Sequence, residues 1–503
     1  MEFDKDLYSI QEVRNLMKRA KAAQEEFASF TQEQVDAVVK SIASACEKNA
    51  ERLAKMAVEE TGFGIWQDKV LKNLLGSRMT YESIRDMKTV GVLREDKSRG
   101  LLEVGVPMGV VAALIPSTNP TSTVMYKSLI TLKAGCAIVI SPHPNAKNCI
   151  VETWKVVAQA AKAAGAPDGL VGCVTTPTVA STDALLKHRD VGIILATGGE
   201  PMVRAAYSSG NPALGVGPGN GPSYIEKSAD IAKAVHRIID SKTFDNGTIC
   251  ASEQSIVTDR CIASQVEQEV ECQGGCFLTP EQSDKVARFI LRANGSMNPK
   301  IVGKSALAIA EMAGITVPQG TKVLLSRQTT VGRDNPYSRE KLCPILAFYV
   351  EDNWENACRR CMEILHNEGA GHTMTIHSQD ESVIREFALK KPVSRLLVNT
   401  AGALGGTGVT TALAPALTLG CGAVGGSASS DNITPLNLIN IRRVAYGLRE
   451  LSDVRAEAGA QSAPAPTASP AACETAAAPE GITALSREDV EAITRAVLAR
   501  LGR

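Results

Sequence analysis

The sequence predicts an α/β protein, built on a doubly wound parallel sheet and followed by a second mixed domain. Three observations lead there. Between residues 110 and 196 short apolar runs alternate with helical segments, the order that βαβ units impose. Those runs, such as VVAALI and AIVIS, are apolar throughout rather than alternating, as strands covered on both faces must be. At 503 residues with 44% hydrophobic content, the chain has material for two or three cores.

Taken in order, residues 7–60 read as a helical layer. Val35, Val38, Val39 and Ile42, then Leu53, Ala54, Ala57 and Val58, recur at three-and-four spacing until Thr61 and Gly62 end the pattern. From Gly100 the run LLEVGVPMGVVAALIP reads as buried strand, broken by Pro107 and stopped by Pro116. There follow a loop (117–123), a helix (124–134), a strand (137–141), a helix (146–164), a short strand (170–174), a helix (182–188) and a strand (191–196). Ligands of such a sheet bind at the carboxyl ends of its strands. The usual GxGxxG fingerprint is missing, since GVGPGNG at 215–221 places Pro218 where a helix would open. ATGGEPMVRAA does follow a strand and open a helix. Its small residues Thr197, Gly198 and Gly199 would let a pyrophosphate approach the helix N-terminal amides.

Composition excludes several classes. Lysine plus arginine equals aspartate plus glutamate at 54 each, so no global field draws in nucleic acid or an anionic membrane. The N-terminus is no secretory signal and no run reaches membrane-span length, so a cytoplasmic location is expected. Thirteen cysteines without a framework read as free thiols in a reducing compartment. Cys358, Cys361 and His366, and Cys272 with Cys276, have the look of metal ligands, but no second pair stands at compatible spacing and no metal is expected. The GKS of IVGKSALAIAEMAG is not a phosphate-binding loop, because Asn298 stands where its first glycine should be.

One cysteine stands apart. In TFDNGTICASEQSI, residues 243–256, Gly247 lets the backbone bend sharply, and Asn246 and Thr248 supply polar groups for an exposed turn beside Cys250. A thiol so presented needs only a modest pKa depression to attack a carbonyl. In STNPTST, Asn119 precedes a proline that keeps it out of helical geometry. Alone it reads as a turn; beside a cysteine nucleophile, its amide could hold an oxyanion together with a backbone N–H.

The pattern FxNGxxC followed by SIV resembles the nucleophile segment of the aldehyde dehydrogenase superfamily, in particular its coenzyme-A-acylating branch. The resemblance runs over about residues 5–450. It implies the family fold, with an NAD-binding domain over residues 1–242 (including an oligomerisation strand region near 100–112), a catalytic domain over 243–430 and an oligomerisation element over 431–455. It implies Cys250 as nucleophile, Asn119 as oxyanion donor, Glu340 of REKLCPILAFYV on the nicotinamide ribose, and His372 of GHT in proton transfer. Ser141 and Pro142 of SPHPNA, with Thr197 to Gly199, would hold cofactor. Hydrolytic relatives carry a glutamate before the Gly-rich segment that activates water, and this chain has only small neutral residues through Asn220. They also carry a lysine and glutamate where SPHPNA stands; losing that carboxylate removes a repulsion against a 3′-phosphorylated nucleotide. NAD and coenzyme A are thus the implied cofactor and co-substrate, and a short aldehyde such as propionaldehyde or acetaldehyde the substrate. A hydrolytic aldehyde dehydrogenase and a catalytically silent scaffold are the alternatives. The segment LNLINIRRVAYGL reads as a strand-helix element suited to a homodimer or homotetramer contact.

Residues 456–480 are nearly all Ala, Pro, Ser, Thr and Glu and read as a disordered linker. Residues 481–503 return to helix, with Val490, Ile493, Val497, Leu498 and Leu501 on one stripe. This tail resembles the encapsulation peptides of bacterial microcompartment enzymes. It implies a place in a microcompartment lumen, with residues 484–503 docked on shell or core proteins.

Overall fold

A computed structural model describes residues 4–459. They fall into two units, one through Ala445 and one from Tyr446.

The expected helical layer is three helices, Lys5–Phe27, Gln32–Lys48 and Ala50–Thr61. Thr31 and Gln34 close a capping box that starts the second, and Gly62 in left-handed geometry ends the third. The apolar stripe at Val35, Val38, Val39 and Ile42 is buried, as are Leu53, Ala54 and Ala57.

Fifteen strands follow in three sheets. The run read as one strand from Gly100 is two, belonging to different sheets. Strands β1 (Gly91–Asp96) and β2 (Leu101–Pro107) are antiparallel. Pro107 ends β2, Gly109 takes φ 109°, and the chain then enters the first parallel sheet. That sheet comprises β3 (Val110–Ile115), β4 (Ala137–Pro142), β5 (Val171–Cys173), β6 (Val191–Ala196) and β7 (Ala213–Gly215) in the order β5-β4-β3-β6-β7. Every pair is parallel, and β3 and β4 are buried at each residue. The second parallel sheet has β8 (Pro222–Ile225), β9 (Ser255–Asp259), β10 (Gly275–Phe277), β11 (Val323–Arg327), β12 (Ile345–Glu351), β13 (Gly371–His377) and β14 (Val393–Val398). Its order is β10-β11-β12-β9-β8-β13-β14. Strand β15 (Ile439–Ala445) returns to pair antiparallel with β2. The expected strand-helix element is therefore a 3-10 turn, Pro435–Leu438, running into a strand.

In the first sheet the chain steps outward from β3 to β5, then crosses back to β6 on the other side of β3. The strand order reverses between β3 and β6, which is where such sheets bind ligands. The loop after β3 carries Asn119 and the loop after β6 carries Thr197 to Gly199. Helix Pro120–Lys133 leaves this point buried at every position. Its Lys127 donates to the Leu114 and Leu195 carbonyls, both at 2.8 Å, tying the ends of β3 and β6 together.

In the second unit, helix Leu451–Glu457 runs two residues into the segment read as linker. The rest of that linker and the C-terminal helix expected at 481–503 lie outside the described residues.

Candidate active site

Cys250 follows a turn of unusual geometry. Asp245, Asn246 and Gly247 all take positive φ, at 49°, 51° and 75°. Two consecutive non-glycine residues in that region cost energy unless their surroundings hold them. Here they are held. The Asp245 carboxylate accepts from the Ile65 amide (2.7 Å), Lys69 Nζ (2.9 Å), Lys72 Nζ (2.5 Å) and Thr248 Oγ1 (2.7 Å), and the Asp245 N–H donates to Asp68 (2.7 Å). Asn246 Nδ2 donates to the Gly303 carbonyl at 2.9 Å, so the glycine of the GKS decoy belongs to this clamp. A Cβ on Gly64 would lie 1.8 Å from Asp245 Oδ1, which is why the chain passing the turn is glycine there.

The turn expected to be exposed is thus largely buried: Asp245, Gly247 and Thr248 lie inside. Helix Trp66–Leu74 packs its two lysines over the turn, and their charges make burial of the carboxylate tolerable. Burial pushes the Asp245 carboxyl up, but Lys72 and Lys69 outweigh it and hold it below its ordinary value. Burial lowers Lys72 to about 8, against the pull of Asp245.

The same clamp orients Asn119. Lys72 Nζ donates to Asn119 Oδ1 at 2.7 Å, which fixes the amide so that Nδ2 faces the nucleophile segment. There Nδ2 makes a 3.2 Å bond to the Thr248 carbonyl, two residues before Cys250. Sequence reading found Asn119 and missed Lys72 and Asp245. The DNG turn was a signal for the acid, but nothing local marks a lysine 173 residues away as its partner.

Cys250 itself is half-buried. A Cβ on Gly219 would stand 1.7 Å from the Cys250 carbonyl oxygen, so the Gly-rich segment packs backbone directly onto the nucleophile. The neighbouring Asn220 side chain turns away, donating to the Ser338 and Ile364 carbonyls. Glu340 Oε1 accepts from the Gly219 N–H at 2.9 Å, on the same few atoms of backbone. Desolvation raises the Cys250 thiol to about 12, helped by Glu340 and Cys421 and opposed by Arg395. Desolvation, and then Glu368, raise Glu340 to about 8.

His372 is the second residue of β13 and is fully buried. Its Nδ1 lies 3.0 Å from Thr373 Oγ1, which also accepts from Arg395 Nε at 3.1 Å. The threonine hydroxyl can either donate to Nδ1 or accept from it, so this contact is compatible with both imidazole tautomers. Nε2 has no protein partner. Burial and then Arg395 push His372 down to about 3. Arg395 was not legible in the sequence; its five bonds reach Thr373, Ser430, Asn432, His372 and Gly420.

A cavity of about 420 Å³ lies against this cluster. Leu71, Leu75, Met79, Phe244, Ile249 and Leu404 supply its apolar wall, while Lys72 and Ile249 are shared with the Asn119 and Cys250 surroundings. Its carboxylates are Asp68 and Asp240.

Cys358 and Cys361 face the core from helix Trp354–Asn367 while His366 is exposed, and among the described residues no group of three or more ligand types converges.

The architecture and this cluster can be compared with known proteins. The model of the aldehyde dehydrogenase family matches residues 7–273. The chain belongs to the aldehyde dehydrogenase family. It is 44% identical over 442 residues to the bifunctional aldehyde-alcohol dehydrogenase AdhE of Escherichia coli, covering 87% of this chain and 50% of that one. This chain thus spans about half the length of the curated relatives it first matches. It is 39% identical to the succinate-semialdehyde dehydrogenase (acetylating) of Clostridium kluyveri, covering 87% and 96%. Solved structures include a probable aldehyde dehydrogenase from Listeria monocytogenes (61% identity, TM-score 0.89, 90% and 100% covered). An acetylating aldehyde dehydrogenase from Geobacillus thermoglucosidasius follows at 52%, TM-score 0.88, with 90% and 99% covered. A propionaldehyde dehydrogenase from the Clostridium phytofermentans fucose utilisation microcompartment stands at 27%, TM-score 0.79, with 86% and 97% covered.

The residues expected to hold an aldehyde dehydrogenase cofactor fit one. Gly198 and Gly199 are exposed at the start of helix Glu200–Tyr207. A Cβ at either would meet nothing nearer than 3.6 Å, so packing of this chain does not demand glycine there and the space is open to a phosphate. Ser141 Oγ, next to Pro142 at the end of β4, lies 3.2 Å from Thr182 Oγ1, and Thr197 Oγ1 lies 3.4 Å from Thr418 Oγ1. These hydroxyls line the same carboxyl end of the sheet. Glu340 is grouped with Gly219 and Cys250.

Proposed function

We propose that the protein oxidises a short apolar aldehyde to its coenzyme A thioester, with Cys250 as nucleophile and Asn119 as oxyanion donor. The observation that carries this reading is Gly219 packed on the Cys250 carbonyl: where hydrolytic relatives act with a water-activating glutamate, this segment brings backbone, and Asn220 points elsewhere. The acetylating relatives named above support the same branch.

The Cys250 sulfur adds to the aldehyde carbonyl and gives up its proton. Glu340, which accepts from the Gly219 N–H where that backbone packs on Cys250, is the carboxylate placed to take it. The oxyanion of the adduct is held by Asn119 Nδ2, pre-aimed by Lys72, and by the Cys250 amide. NAD, when bound at the carboxyl end of the first sheet, supplies the hydride acceptor. Cys250 then carries a thioester, and with no glutamate before the Gly-rich segment to activate water it keeps the acyl group until the thiol of coenzyme A displaces it. His372 is held neutral by burial, and its Nε2, without a protein partner among the described residues, is available to hydrogen-bond to the adduct.

The cavity supports an uncharged aldehyde. Lys72 is engaged by Asp245, Asn119 and Thr248, and the remaining charges, Asp68 and Asp240, are anionic. The one cation among the described lining residues, Lys72, is thus already paired, which supports a neutral over an anionic aldehyde. The test is to incubate the protein with propanal, acetaldehyde or succinate semialdehyde and NAD, with and without coenzyme A, following NADH and product. Sustained NADH with acyl-coenzyme A from the neutral aldehydes supports the reading. Steady free acid, or preference for the semialdehyde, rejects it.

We further propose that residues 484–503 direct the enzyme to a microcompartment. The apolar stripe of that segment supports it, as does the likeness to the propionaldehyde dehydrogenase of the Clostridium phytofermentans microcompartment. A fluorescent protein fused to residues 456–503 should enter co-expressed shells, and Ile493→Asp with Val497→Asp should leave it diffuse.

A further inference from the structure

Away from the active cluster, one side-chain pair is closer than its chemistry explains. Cys358 Sγ, on helix Trp354–Asn367, lies 2.5 Å from Lys391 Nζ, in the link between helix Glu381–Lys390 and β14. Nitrogen-to-oxygen hydrogen bonds span about 2.7–3.2 Å, and sulfur is larger than oxygen, so this separation is inside hydrogen-bond contact. It matches the span from nitrogen to sulfur across a single bridging oxygen with ordinary bond lengths and angles.

A second observation concerns the lysine. Lys391 is 7% exposed and Cys358 8%. A buried ammonium normally meets a carboxylate or several carbonyls. Among the described residues, Cys358 is the one hydrogen-bond partner of Lys391 Nζ, and its other neighbour is the face of Phe387 at 4.1 Å. An amine with no counter-charge, pressed against a thiol, is placed to react with it.

We propose that Cys358 and Lys391 form an oxidative modification site at which a peroxide joins Sγ to Nζ through one oxygen atom. In the first step the thiol takes one oxygen from hydrogen peroxide: the O–O bond breaks, an S–O bond forms and one water leaves, giving the sulfenic acid. In the second step a second peroxide accepts two electrons, while the sulfenic O–H and one amine N–H give up their hydrogens and the N–O bond forms. Two further waters leave. Sulfur and nitrogen each lose two electrons, matched by the two peroxides, and excess thiol reductant reverses both steps.

The link would fasten helix Trp354–Asn367 to the start of β14. Four residues on stands Arg395, which bonds Thr373 and the His372 carbonyl beside the nucleophile. An oxidation event at a distance would thus act on a strand that supports the active cluster.

Tryptic mapping of the full-length protein tests this. Purified protein is treated with hydrogen peroxide, quenched, digested and analysed by tandem mass spectrometry, with and without prior reduction. The expected product is peptide 342–359 joined to peptide 391–395, at the summed mass plus one oxygen and minus two hydrogens. Fragment ions should place the link on Cys358 rather than on Cys343, which shares its peptide. The species should be lost completely after reduction and in Cys358→Ser and Lys391→Met. The mapping of unsubstituted protein stands even if a variant fails to fold. Cys358 recovered as free thiol, as sulfinic acid, or in a disulfide with Cys361, with Lys391 unmodified, overturns the proposal.

Discussion

Desolvation raises the Cys250 thiol, so the rate should follow the group that removes its proton. Glu340 is raised to about 8, so it is protonated below that pH and a base above it. We expect kcat/KM to climb as pH rises through that region, and Glu340→Gln to abolish the climb; a pH-rate profile of each checks it. His372 is pushed to about 3 and changes charge nowhere near this range, so His372→Gln should leave the shape of the profile unaltered. At Asn119, replacement by Ala should cost about a hundredfold or more in kcat, the usual loss of one oxyanion donor. Lys72→Met should reproduce a smaller part of that loss with NAD affinity unchanged, since it removes the aim of the amide but not its N–H. Single-turnover NADH formation with titrated NAD separates the two effects.

At the scale of elements, the nucleophile turn is a strained piece held by a helix from elsewhere in the chain. Asp245 is its hinge, with a carboxylate shared by Lys69 and Lys72 of helix Trp66–Leu74. Asp245→Asn leaves those buried ammonium groups without their counter-charge, and a loss of about 3–5 kcal/mol in unfolding free energy follows from breaking such a pair. Urea denaturation measures it. Gly219 is held for a different reason, the 1.7 Å approach of a Cβ to the Cys250 carbonyl. Gly219→Ala should displace the nucleophile and lose NADH formation while NAD binding, on the other sheet, persists. Retention of near-parental turnover would mean the segment yields more readily than its packing indicates.

On the scale of the whole molecule, two parallel sheets divide the labour. The first carries Ser141 and Thr197 to Gly199 at its carboxyl end; Cys250 leads into the second at β9, and His372 lies on β13. Asn119 leaves the first sheet and meets the nucleophile segment of the second, so the reaction centre is made where the loops of the two converge. Without coenzyme A, turnover should stop near one NADH per Cys250, because the Gly-rich segment carries no glutamate to activate water; a rapid-mix burst measures the amplitude. Cys250→Ala should erase the burst.

The sequence alone determined the pattern-borne features. The βαβ alternation follows from local periodicity, and strands such as 191–196 were legible to the residue because apolar runs bounded by turns have little freedom. Cys250 and Asn119 were legible because each sits in a short motif, and the missing glutamate because absence from a fixed motif can be read directly. What periodicity could not separate was β2 from β3, two adjoining apolar runs whose partners lie in different sheets. Nor could it find Lys72 behind Asn119, Asp245 as the buried hinge, or Arg395 beside His372. The direction of the Cys250 pKa belongs to the same class. Desolvation and charge proximity depend on which distant segments pack around a group, and only the tertiary structure brings Glu340 to the Gly219 amide and thereby decides who holds the proton.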